Sequence, residues 1–243
     1  MTPWLKTSAF VTAFILVVSF LVPGLAQADT AGESVQIAAA DAKKKKKRDP
    51  GKRLYGPRGG LGCIACHGRN GARAIKDYPN VAGQDAKYIE SQIEDIMDGK
   101  RVASVDPADG KPRTSGMMGA LLTPDGKPRV TKEQIKQIAK WLSKLEPAVV
   151  KHKEPLDPAS VEAGKKLFKK YKCKNCHGKE GKKPLRGYPV IAGQKPAYLI
   201  NQINDFRAKT RTNGKSKTMF AFVRKIKDDE VKQIADYLSQ VKR

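Results

Sequence analysis

The sequence predicts an all-α protein that consists of two tandem copies of one small helical unit. Three observations support this prediction: a five-residue cysteine–histidine motif that occurs twice, a series of matching residues at a constant offset, and an apolar stripe of helical period at the end of each copy. The alternation of strands and helices that would indicate a parallel sheet is not found in the sequence.

The cysteine–histidine motif is the most specific of these observations. Cys63-Ile64-Ala65-Cys66-His67 and Cys173-Lys174-Asn175-Cys176-His177 both read C-x-x-C-H, the attachment signature of c-type haem. Thiols three positions apart lie on one face of a helical turn, where both can form thioethers with the porphyrin vinyl groups, and the next histidine is held beneath the iron. The sequence therefore predicts two covalently bound haem c groups, with attachment at Cys63, Cys66, Cys173 and Cys176 and iron ligation by His67 and His177.

Other uses of the four cysteines explain this pattern less well. A redox-active C-x-x-C pair normally lies near a strand–helix–strand unit, which this sequence lacks. A four-thiolate zinc site requires the two cysteine pairs to converge, whereas each pair here carries its own histidine and glycine. Two disulfides in an exported protein would leave the paired C-H-G contexts unexplained.

A constant offset of 110 residues relates the two copies from the motif onwards. The matching pairs are Gly68 and Gly178, Gly71 and Gly181, Tyr78-Pro79 and Tyr188-Pro189, Ala82-Gly83-Gln84 and Ala192-Gly193-Gln194, Tyr88 and Tyr198, and Gln92 and Gln202. The closing stripes match at an offset of 96, with apolar residues at i, i+3, i+4, i+7 and i+10 from Ile135 and from Val231. The chain is therefore a tandem duplication.

The first residues of the chain predict export. Lys6 precedes an apolar run, Pro23-Gly24 ends that run, and Ala26-Gln27-Ala28 has the form of a cleavage site. The run is short for a bilayer span, so a signal peptide over residues 1–28, cleaved after Ala28, is favoured over an uncleaved membrane anchor. Residues 29–50 contain the run Lys43–Arg48 and are predicted to form a flexible basic tail.

Each copy is predicted to contain three helices. The first precedes the cysteine–histidine motif, the second follows the Ala-Gly-Gln turn, and the third is the amphipathic closing helix, which begins with the capping-box pair Thr131 and Gln134. The proline-containing segment between the copies lacks helical periodicity and is predicted to be a linker. The expected boundaries are a first domain over 51–146, a linker over 147–159 and a second domain over 160–243. A haem buried in each small domain would supply apolar contact area.

From about residue 50 to the end, the chain resembles the di-haem cytochrome c4 family. The C-x-x-C-H-G motif, the Tyr-Pro-x-apolar-Ala-Gly-Gln segment, the later Tyr and Gln, and a Met before a closing helix all occur twice and in order. The resemblance implies two tandem cytochrome c domains with His–Met ligated haem in a periplasmic electron carrier, either soluble or associated with the membrane. It also implies that the carbonyls of Pro79 and Pro189 accept the second N–H of the proximal histidines.

The repeat suggests which methionines fill the implied ligand positions. In the first copy, Met97 lies on an apolar helix stripe and is predicted to be a core residue. In the second copy, Met219 is the only candidate. Met118 and Met219 both begin the pattern Met-x-Ala followed by two apolar residues, whereas Met117 then aligns with Thr218. Met118 and Met219 are therefore the predicted iron ligands.

The charge of the chain indicates its class of partner. The formal net charge is +24, with 24 basic and 15 acidic residues through Glu146 and 24 basic and 9 acidic residues after it. A basic protein can bind nucleic acid, but no recognition motif is present and export would separate the two, so no nucleic-acid partner is predicted. Acidic redox proteins, namely a respiratory donor complex and an oxidase or other acceptor, are the predicted partners, with an anionic membrane surface as a second candidate.

Two functions remain open from the sequence. The leading prediction is a non-enzymatic carrier that transfers electrons between a respiratory donor and a terminal oxidase or other acceptor. The alternative is a peroxidase or sulfur-compound oxidoreductase, or the di-haem electron-transfer subunit of one. Enzymatic haem generally requires an open iron position, whereas one methionine candidate per copy favours closed six-coordinate iron.

Overall fold

The computed structural model describes residues 48–147 and 149–243, so the predicted signal peptide and most of the predicted basic tail lie outside the described residues. The described residues form ten α-helices, one short 3-10 helix and no strand, apart from two isolated β-bridges. The helices are α1 (Pro50–Tyr55), α2 (Ile64–His67), α3 (Ala86–Met97), α4 (Ser115–Leu121), α5 (Lys132–Ser143), α6 (Pro158–Lys170), α7 (Lys174–His177), α8 (Pro196–Arg207), α9 (Ser216–Val223) and α10 (Asp228–Gln240), with the 3-10 helix at Lys179–Gly181.

The helices repeat in the same order in two halves, which we call the first half (residues 48–147) and the second half (residues 149–243). The three helices predicted for each copy are present as α1, α3 and α5 and as α6, α8 and α10. Each half adds a short helix over the cysteine–histidine motif and another around a methionine. Among the described helices, none combines the length and apolar content needed to cross a bilayer.

The first helix of each half starts one or two residues before the domain boundary expected from the sequence. Helix α1 starts at Pro50, the last residue of the predicted tail, and α6 starts at Pro158, inside the predicted linker. In both helices an aspartate side chain caps the first turn. Asp49 accepts hydrogen bonds from backbone N–H groups of α1, and Asp157 accepts them from backbone N–H groups of α6. An Asp-Pro pair therefore starts a helix here, since proline suits the first helical position and the aspartate satisfies the free N–H groups.

The first and last helices of each half cross with their backbones in direct contact. A Cβ atom added at Gly51 would overlap the Gln137 carbonyl group in α5, and one added at Gly164 would overlap the Gln233 carbonyl group in α10. Only glycine allows this approach. Aromatic pairs lie beside the crossings, with ring centroids 5.0 Å apart between Tyr55 and Trp141 and 5.9 Å apart between Phe168 and Tyr237.

Each half has its own hydrophobic core, and the predicted closing stripes supply much of it. Ile135 and Ile138 are buried in the first half, and Val231 and Ile234 are buried in the second. Met97 packs against the first core, as the sequence analysis predicted. The capping box at the start of α5 is also present. Residues of both cores line one cavity, which contains the candidate site.

Candidate haem sites

One apolar cavity of about 510 Å³ is lined by residues of both halves. Cys63, Cys66 and His67 of the first motif line it, together with Cys173 and His177 of the second. Cavities of this size, with mainly apolar walls and a few converging polar groups, are typical of cofactor sites. The cavity therefore brings residues of both predicted attachment motifs into one region, although Cys176 is not among its lining residues.

A single helical turn holds each motif in place. Helix α2 has Cys63 at its N-cap and α7 has Cys173, so both thiols and the histidine lie within one turn. Each turn ends at a glycine with positive φ, 75° at Gly68 and 74° at Gly178. This left-handed conformation costs least for glycine, and it reverses the chain directly after the histidine.

The two motif histidines are buried and held in one tautomer. Nδ1 of His67 lies 2.9 Å from the Pro79 carbonyl oxygen, and Nδ1 of His177 lies 3.0 Å from that of Pro189. A carbonyl can only accept, so Nδ1 carries the proton and Nε2 keeps its lone pair. Burial lowers the pKa of both imidazoles and favours this neutral form, which is the one that binds iron. The third histidine, His152, instead contacts Ser239 Oγ at 3.2 Å.

The four cysteines have the properties of thiols available for attachment rather than of a reactive or metal-binding cluster. All four are free. Burial raises the pKa of Cys63 and of Cys173 to about 11, so both remain protonated near neutral pH. Among residues 48–147 and 149–243, no three His, Cys, Asp or Glu side chains gather in a geometry that could hold a metal ion. These properties argue against a zinc site and against a low-pKa redox dithiol.

The two adjacent methionines of the first half are placed differently with respect to the cavity. Met117 lines the cavity, whereas the predicted ligand Met118 is not among the lining residues. Two helical triads at positions i, i+3 and i+4 line the cavity, namely Met117, Ala120 and Leu121 in α4 and Met219, Phe222 and Val223 in α9. The two triads correspond at an offset of 102 residues, which pairs Met219 with Met117 and not with Met118.

Burial in the two helices supports the same register. At this offset the buried Thr114 corresponds to the buried Ser216, and the buried Leu121 corresponds to the buried Val223. In the pairing of Met118 with Met219, the two alanines face different environments: Ala120 lines the cavity, whereas Ala221 is exposed to solvent. In a helix the burial pattern follows the 3.6-residue period. A short run of identical residue types does not show which positions of that period face the cavity.

The structure also reveals a pair of arginines that the sequence analysis did not single out. Arg101 and Arg211 line the cavity and are separated by the same offset of 110 residues as the repeat. Nη2 of Arg101 donates across to the second half, to Tyr198 Oη at 3.1 Å and to Gln202 Oε1 at 3.2 Å. The offset was the signal that could have identified the pair.

Arg211 makes the matching contacts in the opposite direction. Its Nη2 donates to Tyr88 Oη at 3.0 Å and to Gln92 Oε1 at 2.7 Å in the first half. Asn213 adds a hydrogen bond from Nδ2 to Asp95 Oδ2 at 2.7 Å. The Tyr and Gln positions that recur at the 110-residue offset therefore receive an arginine from the other half, and they join the two halves beside the cavity.

An unpartnered donor on Arg101 indicates whether a haem fits this cavity. Nε of Arg101 is buried and has no hydrogen-bond partner among the described residues. An unsatisfied buried donor on a charged group is costly, and an anionic carboxylate is the partner that best offsets this cost. The propionates of a haem are such carboxylates. The apolar lining, the two neutral histidines, the free thiols and this unpartnered donor all fit the group that the motifs imply.

Comparison with known proteins agrees with this chemistry. A cytochrome c family model matches residues 48–146 and 161–242. The chain is 30% identical over 185 residues to cytochrome c4 of Pseudomonas aeruginosa, an alignment that covers 72% of this chain and 82% of that protein. It is 27% identical over 220 residues to a thiosulfate dehydrogenase electron acceptor of Stutzerimonas stutzeri, covering 86% and 89% of the two chains.

A solved structure gives the same result for the fold. The crystal structure of reduced recombinant cytochrome c4 from Pseudomonas stutzeri superposes with a TM-score of 0.61 at 26% identity and covers 79% of this chain and 96% of that one. Proteins of this kind bind haem c covalently, and the chain carries one attachment motif in each matched region. The chain therefore belongs to the cytochrome c family and, within it, to the di-haem cytochrome c4 proteins, which transfer electrons through two covalently bound haem c groups.

Proposed function

We propose that the protein is a non-enzymatic periplasmic electron carrier, which accepts electrons from a respiratory donor and delivers them to a terminal oxidase or another acceptor. The observation that supports this proposal most strongly is the pairing of ligands: each half contributes one buried neutral histidine and one methionine to the cavity lining. Such a pair would supply two protein ligands to the iron of each haem and would leave no position open for a substrate.

In this proposal each half uses the same set of residues. Cys63 and Cys66 in the first half, and Cys173 and Cys176 in the second, form the thioethers. The iron ligands are His67 and Met117 in the first half and His177 and Met219 in the second, while Pro79 and Pro189 accept the histidine Nδ1–H. The bound haem iron supplies reversible one-electron exchange, and methionine sulfur favours its reduced state.

The chain itself would keep the environment of each site constant. The carbonyls of Pro79 and Pro189 fix the orientation of the imidazoles and increase their basicity. The apolar lining excludes water, and Arg101 is placed to pair with a propionate. A site that is already rigid and dry changes little when one electron is added, which suits a carrier.

The proposed partners are acidic redox proteins that approach the more basic second half. The surplus of basic over acidic residues after Glu146 supports an electrostatic encounter of this kind. An anionic membrane surface is the second candidate, through the Lys43–Arg48 run. For the periplasmic location, we propose export with cleavage after Ala28, which predicts that the mature protein begins at Asp29.

A second candidate function comes from the relatives. One of them is named a thiosulfate dehydrogenase electron acceptor, and it is similar over most of both chains. By analogy, this protein would accept electrons from a sulfur-compound oxidoreductase as its partner or subunit. The two candidates share the same haem chemistry and differ only in the donor.

One experiment on the exported protein tests the carrier proposal. Its intact mass should exceed that of the cleaved polypeptide by two haems, and the visible spectrum of the reduced protein should not change when carbon monoxide is added. Rapid binding of carbon monoxide to either haem would show an open iron position and would favour the enzymatic alternative. A mass with one haem or none would contradict the di-haem assignment.

A further inference from the structure

Two buried glutamines make reciprocal hydrogen bonds across the two halves. Gln84 donates from Nε2 to the Val190 carbonyl oxygen and accepts from the Val190 N–H at Oε1, both at 2.9 Å. Gln194 makes the same two bonds with the backbone of Asn80, also at 2.9 Å. The exposed fraction is 6% for Gln84 and 3% for Gln194, so water does not compete for these bonds.

The N–H groups that the glutamines bind belong to the peptide units that orient the histidines. The N–H of Asn80 and the carbonyl of Pro79 lie in one planar peptide unit, and that carbonyl accepts from His67. The N–H of Val190 and the carbonyl of Pro189 form the corresponding unit for His177. Because a peptide unit is rigid, an acceptor fixed at its N–H end also fixes its carbonyl end.

The same geometry has an electronic consequence. A peptide whose N–H donates a hydrogen bond becomes a better acceptor at its carbonyl, because the two bonds polarise one another. A stronger carbonyl acceptor raises the basicity of the imidazole that donates to it. Gln194 therefore strengthens the hydrogen bond of His67, which lies in the other half, and Gln84 does the same for His177.

We propose that Gln84 and Gln194 are crossed positioning residues, each of which orients the proximal histidine of the opposite half through the proline–X peptide unit. This inference rests on the proposed function, because it assigns the histidines to iron. In this proposal the glutamine of each Ala-Gly-Gln segment acts on the haem site of the opposite half and not on the haem site of its own half.

The two crossed contacts differ in how many other hydrogen bonds hold the same segment. The first-half segment before Asn80 also accepts two hydrogen bonds from the second half: Lys195 Nζ donates to the Ala74 carbonyl oxygen at 3.1 Å, and Asn201 Nδ2 donates to Asp77 Oδ2 at 2.6 Å. Among the described residues, Gln84 is the only first-half side chain that hydrogen-bonds to residues 184–190 of the second half. Loss of Gln84 should therefore have the larger effect.

Lys195 itself breaks the symmetry of the two halves. The residue at the matching position of the first half is Asp85, which accepts from the Tyr88 N–H and caps helix α3. Lys195 instead reaches the carbonyls of the first half. The crossed pair is thus symmetric at the glutamines and asymmetric one residue later.

The test uses Gln84→Met and Gln194→Met in the full-length di-haem protein, since methionine keeps the length of the side chain and removes its hydrogen bonds. Amide hydrogen exchange should become about tenfold faster at the Val190 N–H in Gln84→Met and at the Asn80 N–H in Gln194→Met. In redox titrations, Gln84→Met should raise the potential of the second haem more than that of the first. Gln194→Met should do the reverse, by a smaller amount. A Met219→Ala background identifies the transition of the second haem.

Two further variants separate positioning from a general loosening of the interface. Gln84→Glu keeps the acceptor for the Val190 N–H and should give a smaller shift of the second potential than Gln84→Met. Arg243→Met removes hydrogen bonds to the Ala82 and Ala192 carbonyls without touching the proline–X units. It should move both potentials equally.

The crossed pattern is what can overturn the inference. Shifts confined to the haem of the mutated half, equal shifts of both haems, or no shift in either variant would each contradict it. Failure of the proposed function is recognised separately. The unmodified protein would then have a mass that does not include two haems, or its spectrum would not contain the methionine–iron charge-transfer band. The hydrogen-exchange measurement does not depend on either of these.

Discussion

Arg211 in the second half and Tyr88 in the first are joined by a 3.0 Å hydrogen bond from Nη2 to Oη, and Arg101 makes the matching bond to Tyr198. Both arginines line the cavity that the two haem sites share. These two arginines thus both join the halves and place positive charge beside the haem sites. We therefore expect substitutions of these arginines to change both the stability of the interface and the redox potentials.

The first prediction concerns this positive charge. Arg101→Gln should lower the reduction potential of the haem that Arg101 faces, because removing a cation from a dry site stabilises the oxidised, more positive state. A redox titration at constant ionic strength measures the shift. Lys100→Gln is the control, since that side chain is largely exposed and its charge is screened by solvent. Equal shifts in the two variants would contradict a specific role for Arg101.

The second prediction concerns the methionine ligand of the first half. Met117→Ala should abolish the methionine–iron charge-transfer band of the first haem and lower its potential, because the sulfur that favours reduced iron is lost. Met118→Ala should leave the band in place and cost only packing, since Met118 lies against the core but is not among the cavity-lining residues. Visible spectra of the oxidised variants decide between the two. If only Met118→Ala removed the band, the register derived from helix α4 would be wrong.

The third prediction concerns the helix crossings. Gly164→Ala should destabilise the second half by about 3 kcal/mol or more, because the new methyl group forces α6 away from α10. Gly51→Ala should act similarly in the first half. Gly119→Ala is the matched control: it also lies in a helix, but a Cβ there meets no atom within 4 Å. Chemical denaturation followed by circular dichroism measures all three variants, and a neutral Gly164→Ala would disprove the close crossing.

The fourth prediction concerns pH and the carboxyl group of Glu230. Tyr171 Oη donates to this group at 2.6 Å and the Lys227 N–H at 2.9 Å, and these bonds lower the pKa of Glu230 to about 2. A carboxyl with a lowered pKa stabilises the folded state fully above its unfolded value of about 4.3, and this stabilisation is lost as the pH falls toward about 2.

The variant Glu230→Gln tests this pH dependence. It should lower the free energy of unfolding by about 1 kcal/mol at neutral pH, and the difference from the wild type should shrink as the pH falls below about 4. Denaturant titrations over a pH series measure it. A difference that stays constant into the acid range would show that ionisation of Glu230 makes no contribution.

The fifth prediction concerns encounter with a redox partner. Electron exchange with an acidic partner protein should slow steeply as ionic strength rises, because the attraction is screened over about 8–10 Å at physiological salt. Stopped-flow mixing over a salt series measures the bimolecular rate. An uncharged small-molecule reductant is the control and should react at a nearly constant rate. A partner rate independent of salt would contradict electrostatic steering.

The sequence could predict the features that depend on short spacings. Attachment within one turn, the histidine next to the second cysteine, and the proline twelve residues after His67 all repeat in order. The position of the methionine could not be derived in the same way. Helix α4 contains two adjacent methionines, and only the phase of the helix against the cavity distinguishes them.

Contacts between the halves could not be predicted from the sequence for a different reason. The 110-residue offset identifies Arg101 and Arg211 as a matching pair, but it does not indicate that each side chain binds residues of the other half. The same is true of Gln84 and Gln194, which the repeat identifies without naming their partners. The sequence alone does not show that Asp49 and Asp157 cap helices, because Asp-Pro occurs both in linkers and at helix N-termini.

The reciprocal glutamine bonds have the form of a homodimer interface, in which the same patch on each subunit contacts the other. In a true homodimer every substitution appears twice, so both subunits must tolerate it together. Joining the halves in one chain removes that constraint. Lys195, which occupies the position of Asp85, shows that the two halves have already diverged at this interface. A duplicated chain of this kind can therefore adapt one haem site to a donor and the other to an acceptor.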